Sequence, residues 1–422
     1  MNYITKIFPT VIVLILSMQL IHSQWATDVV IVSDQGPPEP IPRIQFQNSS
    51  TGWLVHPNKK DTVFKTTDGG LNWSGYRTVD TNKLSGMFFL NNNTGWVAGY
   101  RGKIAKTTDG GVSWVLQSSG VQSWLNCIRF IDANTGVAVG SKDSNRVVLK
   151  TTNGGTNWQV LLRNNQARFY SVYMTSVNSI YSVGDSGVIL YSSNGGNAWV
   201  TQQSGTNSTL REIIFKNWGP LSIGYIAGKG GVILQTTNGG SNWVSRSFNT
   251  VNFYGIDFAT IDTGYISGTG KIYKTTDGGS NWYQQTVPVL DTISIKGVFC
   301  INSNTVWAIP WSGNLIYTTN GGGPIGIQPI SNEIPTGYYL EQNYPNPFNP
   351  NTKIRISIPN SSFTKLTIYD VTGKVMAILV NEELKPGKYE VDWDASHRTS
   401  GIYYYKLEAE NFTSTRKMVL LK

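Results

Sequence analysis

The chain has 422 residues, of which 14% are charged, and carries 44 Gly, 14 Trp and a formal net charge of +9. That length accommodates two domains, or one large repeat array plus a module, and so many aromatics with so little charge argue against a disordered chain. The basic excess is scattered, with no Lys/Arg run and no base-reading motif, which argues against a nucleic-acid partner.

Residues 1–23 read as an export signal. Lys6 and the amino group supply a positive start, Phe8 to Ile21 is apolar, and Ser23 is a small residue ahead of Gln24. An uncleaved anchor is the alternative; no later segment is apolar enough to span a bilayer as a helix. Residues 24–32 follow as a strand opened by Trp25.

Seven copies of one phrase then recur every 39–44 residues. Six end in Trp73, Trp114, Trp158, Trp199, Trp243 and Trp282, as in KTTDGGLNW, and the last is a truncated YTTNGGG ending at Gly323. A period of roughly 40–45 residues is one four-stranded propeller blade, so the expected fold class is all-β, a seven-bladed β-propeller. In the clearest repeat the strands are Ile128–Ile131, Gly136–Gly140, Val147–Thr152 and Trp158–Leu162, with a hairpin loop over Ser141–Arg146.

The phrase falls between the third and fourth strands and carries Asp68, Asp109 and Asp277 in three copies but Asn153, Asn194, Asn238 and Asn320 in four. Either side chain offers an oxygen to backbone N–H groups of the turn. The glycines supply positive φ, and the Trp is expected to bury its face between blades. A calcium ligand or a catalytic acid would not exchange with Asn, so the role is read as structural. The phrase resembles the Asp-box hairpin of sialidases and sortilin-type receptors. The whole repeat, from about Arg43 to Gly323, resembles the photosystem II assembly and stability factor family. That resemblance implies a protein-binding assembly factor rather than an enzyme. The last copy lacks its Trp and its fourth strand, so residues 24–32 are expected to close the ring as the outer strand of the seventh blade.

Cys127 and Cys300 fall on first strands of repeats that are not neighbours, and two buried thiols are expected rather than a disulfide. His22, His56 and His397 cannot form a ligand cluster in the propeller, so neither a metal site nor a cofactor is expected. A sialidase-like glycosidase would need an arginine triad and paired acids. Pro42-Arg43-Ile44 has the wrong order for that family's Arg-Ile-Pro strand; Glu212 and Asp185 are the nominated acid pair, with Asp143 a further acid. The face opposite the repeated turns is expected to form a partly basic, aromatic-edged mouth from Arg101, Trp124, Arg146, Arg168, Tyr170, Arg211, Tyr254, Lys296 and Trp311. Such residues suit a protein partner or an anionic glycan, and equally an ordinary solvated loop surface. The propeller is expected to be monomeric.

Residues 324–337 read as a Gly/Pro/Ile linker, and 338–422 as a separate β-sandwich with strands at Lys353–Ile358, Lys365–Tyr369, Lys388–Trp393 and Ile402–Leu407. Its segments YPNPFNPNTKIRISIP, LTIYDVTGKVM, LKPGKYEVDWD, SGIYYYKL and KMVLLK are similar to the type A C-terminal sorting domain of the type IX secretion system. Gly373, Gly387, Gly401, Lys417 and Lys422 lie in those segments. The resemblance implies passage through the periplasm and across the outer membrane of a Gram-negative bacterium, by contact with the type IX machinery. It further implies removal of the tail, with the cargo released or attached to the cell surface.

Overall fold

The computed structural model describes residues 25–30, 42–79, 82–142, 145–164, 168–218, 221–248, 250–285, 287, 293–319, 321–322, 327–331, 333–395 and 398–421. The export signal, Asp143, Asn320 and Lys422 lie outside the described residues. The regular structure of the described chain is strand apart from four single-turn 3-10 segments, and no helix among the described residues is long and apolar enough to cross a membrane.

Among the described residues, nine four-stranded antiparallel sheets form, seven of them from residues 26–318. Each of the seven runs outward strand by strand, as in Leu84–Phe89, Gly95–Gly99, Ile104–Thr107 and Val115–Gln117. The first strand of each blade packs on the first strand of the next, and that of the seventh on that of the first. The result is a β-propeller around a central channel. The seventh sheet takes its outermost strand from the start of the chain, where Ala26–Val30 pairs with Asn314–Thr318 (Ala26 with Tyr317, Thr27 with Ile316). Sharing one sheet between the two ends of the array ties the ring shut and removes an edge. The hairpin loop expected over Ser141–Arg146 is mostly strand, since Ser141 pairs with Arg146 and Lys142 with Asn145.

The seams between blades are locked by a residue pattern. One position of the second strand, the second residue in most blades and the fifth in the longer Leu221–Gly228, is aromatic in Trp53, Trp96, Tyr181, Tyr225, Tyr265 and Trp307. It reaches a residue at or near the end of the next blade's first strand. Trp53 stacks on Phe89 at 3.8 Å, Trp96 on Phe130 at 3.5 Å and Tyr225 on Phe258 at 3.9 Å between ring centroids. The same rings donate to the next repeated turn: Trp53 Nε1 to Gly110 O (2.9 Å), Trp96 Nε1 to Gly154 O (3.1 Å), Tyr181 OH to Gly239 O (2.6 Å) and Tyr225 OH to Gly278 O (3.0 Å).

This corrects the expectation that the Trp of the repeated phrase is the main buried wedge. Trp53, Trp96 and Trp307 are at most 1% exposed, whereas Trp73, Trp158, Trp199, Trp243 and Trp282 are half-buried and only Trp114 is buried. The phrase Trp immediately precedes the outer strand, where it meets the first-strand Phe of its own blade edge-on (Trp114–Phe89, Trp158–Phe130, Trp282–Phe258) and, Trp114 apart, stays partly open to water.

The tail forms two further four-stranded sheets over one hydrophobic core that includes Phe348, Ile354, Leu366, Trp393 and Tyr405. Ile327–Ser331, expected as linker, is the edge strand of the first of these and pairs with Gly387–Asp394. Pro329 masked it as a linker; a strand at a sheet edge accommodates proline because its outward N–H has no partner to lose.

Candidate functional site

The repeated turns are built from their own side chains. In the first, Thr66 Oγ1 donates to Asp68 Oδ1 (2.8 Å) and accepts from Gly70 N (2.9 Å). Asp68 Oδ1 accepts from Asn72 N (2.9 Å), and Trp73 Nε1 donates to Gly70 O (2.9 Å). Gly69 and Gly70 have φ of 76° and 96°, a region costly for any residue with a Cβ. Hydrogen bonds from Asn72, first its backbone N–H and then its side chain, with Thr66, hold the Asp68 pKa down to about 2; Ser113 does the same for Asp109. Asn153, Asn194 and Asn238 accept the corresponding backbone N–H through Oδ1, so the amide oxygen alone suffices for the turn.

Four of the expected mouth residues, Tyr170, Arg211, Tyr254 and Lys296, share a recurrent backbone position with Ser85 and Asn126. Each is the extra residue where a first strand breaks register with its second. Most are buried, and they staple neighbouring blades. Ser85 Oγ donates to Leu125 O (2.8 Å) and Asn126 Nδ2 to Phe169 O (2.6 Å). The Arg211 guanidinium lies 4.2 Å from the Tyr170 ring centre and Lys296 Nζ 3.6 Å from that of Tyr254. Trp124 is half-buried with its Nε1 on Ser85 Oγ (2.9 Å). Arg146 is buried with its Nε on Asn164 Oδ1 (2.8 Å), and Trp311 is buried beside His56 at 5.3 Å. Arg101 and Arg168 are exposed.

A cavity of about 450 Å³ lies in the channel, and of the nominated residues only Glu212 lines it. Because strand side chains alternate, every second residue of each first strand faces the channel. At the N-terminal ends of these strands that position is small in Gly86, Cys127, Ser171, Gly255 and Gly297, and charged in Arg43 and Glu212. These two meet across the ring, Arg43 Nη1 on Glu212 Oε1 at 2.6 Å, with both side chains under 10% exposed. The pair bolts that end of the channel. One layer further along lie Gln45, Phe88, Arg129, Tyr173, Ile214, Asp257 and Phe299, and beyond them Leu90, Ile131, Thr175 and Lys216. Most of these are half-buried, so the cavity opens toward the face of the repeated turns, opposite to the expected mouth.

Electrostatically the open half is uneven. Lys216 Nζ pairs with Asp257 Oδ1 at 2.8 Å. Burial works against the Lys216 charge, yet Asp257 outweighs it and raises its pKa. Asp257 Oδ2 also accepts from Cys300 N (2.8 Å), and burial pushes the Cys300 thiol pKa well up. Arg129 sits over Phe88 at 5.8 Å with Nη1 donating to Met87 O (3.3 Å), and no carboxylate among the described residues pairs with it. It is the unbalanced charge of the channel. The proposed acid pair does not assemble. Glu212 is committed to Arg43, while Asp185 accepts from Thr209 Oγ1 (3.0 Å) and Tyr170 OH (3.4 Å) and does not line the channel.

Fold and channel together define the class: a β-propeller closed by its own N-terminal strand and locked by Asp-box hairpins, followed by a separate β tail. The chain belongs to the family described as photosynthesis system II assembly factor YCF48, whose model matches residues 39–118, 114–243 and 197–285. Residues 342–421 match the secretion system C-terminal sorting domain, which marks the protein for type IX export to the cell surface or extracellular space. Among solved structures it is similar to YCF48 bound to D1 peptide (19% identity, 71% of this chain and 96% of that one, TM-score 0.56). It is also similar to YCF48 from Cyanidioschyzon merolae (19%, 70% and 98%, 0.56) and to the WD40 propeller domain of Doa1 (15%, 69% and 96%, 0.52). A search of curated proteins finds no match.

Proposed function

We propose that this is a type IX-exported binding propeller that works outside the outer membrane, after periplasmic passage, and receives a segment of a partner protein in its channel. The observation that carries the reading is the channel itself: bolted at one end by Arg43–Glu212, open at the other, and walled by Phe88, Tyr173 and Phe299 around the unbalanced Arg129. Aromatic walls with one anchoring arginine are the composition of interface hot spots. A cavity of this volume holds a few side chains rather than a folded domain. The solved YCF48 bound to D1 peptide shows that a propeller of this family takes a peptide. The photosynthetic role does not transfer, because the sorting domain sends this chain out of the cell.

The test is selection of random peptides displayed on phage against the purified full chain, with Arg129→Ala as counter-target. Peptides that bind the parent and lose at least about tenfold (roughly 1.4 kcal/mol) on Arg129→Ala support the reading. Binders indifferent to Arg129, or no enrichment, refute it.

A further inference from the structure

We propose a second binding site, at the seam between the third and fourth blades, for a neutral saccharide of one or two rings. This seam departs from the others. Val137 stands where the other six blades carry Trp or Tyr, and it faces Met174 where most carry Phe. With no ring to reach the next repeated turn, its task falls to Lys150, whose Nζ donates to Gly195 O (2.8 Å) and Val177 O (3.2 Å). Between the two turns lies a groove of about 380 Å³, lined by the Trp158 ring, Asn153, Asn157, Gln159 and Asn197 over Lys150.

The chemistry of the groove follows from an Asp-to-Asn exchange. Where the turn carries Asp, the second carboxylate oxygen takes the side chain four residues on: Asp68 Oδ2 accepts from Asn72 Nδ2, Asp109 Oδ2 from Ser113 Oγ, and Asp277 Oδ2 from Asn281 Nδ2. In the third turn Asn153 spends its Oδ1 on Thr151 and on Asn157 N, and presents Nδ2 where that oxygen would be. Asn153 Nδ2 cannot accept from the Asn157 amide as the carboxylates do in the Asp turns, and neither the Asn157 nor the Gln159 side chain has a hydrogen-bond partner among the described residues, so both amides are available to a ligand. Each amide donates and accepts at once, which matches adjacent sugar hydroxyls, and the half-buried Trp158 offers an apolar face to a sugar ring. The groove holds no carboxylate, and its lysine is already spent on carbonyls, so uncharged ligands are favoured. The inference is independent of the channel.

The experiment is ligand-observed NMR of the full chain with glucose, mannose, galactose, N-acetylglucosamine, cellobiose and glucuronate. Saturable binding of at least one neutral sugar is expected. It should be insensitive to salt, unchanged in Arg129→Ala, and weakened at least about tenfold in Asn157→Ala/Gln159→Ala, whose melting should match the parent because both side chains are exposed. Absence of saturation by every neutral sugar, equal binding by the double variant, or a salt-sensitive preference for glucuronate would overturn the assignment.

Discussion

Removing the carboxylate of Glu212 should cost this protein more than removing any other single charge in the propeller. Arg43 and Glu212 lie on blades one and five, so their bond spans the ring rather than a seam. A solvent-exposed ion pair is worth about 0–1 kcal/mol, as expected for Lys353–Glu390 in the tail, where the lysine is 52% exposed. Arg43 and Glu212 are 8% and 9% exposed, so Glu212→Gln leaves a guanidinium that has lost its water and its counter-charge. The expected loss is about 3–5 kcal/mol. Arg43→Met combined with Glu212→Leu should recover most of it, because two apolar side chains leave no charge stranded. The assay is urea unfolding of the parent, of Glu212→Gln, and of Arg43→Met, Glu212→Leu and their combination, the last three read with the parent as a mutant cycle. A Glu212→Gln variant within about 0.5 kcal/mol of the parent would show that water reaches Arg43, and the idea of a bolted channel end would fall.

Other outcomes follow from the same geometry. Trp96→Ala, which removes a fully buried ring and its bond to Gly154, should cost about 3–5 kcal/mol and clearly exceed Trp158→Ala; equal losses in thermal melts would contradict the seam lock. His56 is buried, and that burial brings its pKa from 6.5 to about 4. Its contribution is therefore fully present above pH 6.5 and lost as pH falls from 6.5 through 4, by up to about 3 kcal/mol. His56→Asn should remove that part of the pH dependence, and identical pH–stability curves would contradict the assignment. Asp68→Asn should lower the melting point only slightly, since Asn153 holds the same turn and the bond lost, from Asn72 Nδ2, is exposed; a marked drop would give the Asp charge a larger role than the turn geometry assigns it.

The architecture was legible because its determinants are local. A turn phrase of fixed composition recurs at blade length, and a stray Trp-led strand at the start complements a missing one at the end. The channel is legible in principle from alternation. Phe88, Arg129, Tyr173, Asp257 and Phe299 sit between apolar neighbours that face the blade core, and period two puts them on the opposite side of the strand. Arg43–Glu212 could not be read at all, since 169 residues separate the partners and only ring closure brings them together. The expected mouth residues lie outside the channel lining for a related reason. A long polar side chain at a strand start looks like a loop residue in sequence, yet the register break turns it sideways onto the next blade, where Arg211 covers Tyr170 and Lys296 covers Tyr254.

The most direct test of the central claim places a photo-crosslinking residue at Thr175, half-buried at the open end of the channel, and for comparison at Val244 on an outer strand. Each is illuminated on protein exported by its own cells. The account predicts a discrete protein adduct from Thr175 and none from Val244. No adduct from Thr175, or the same adducts from both positions, would contradict a partner segment seated in the channel.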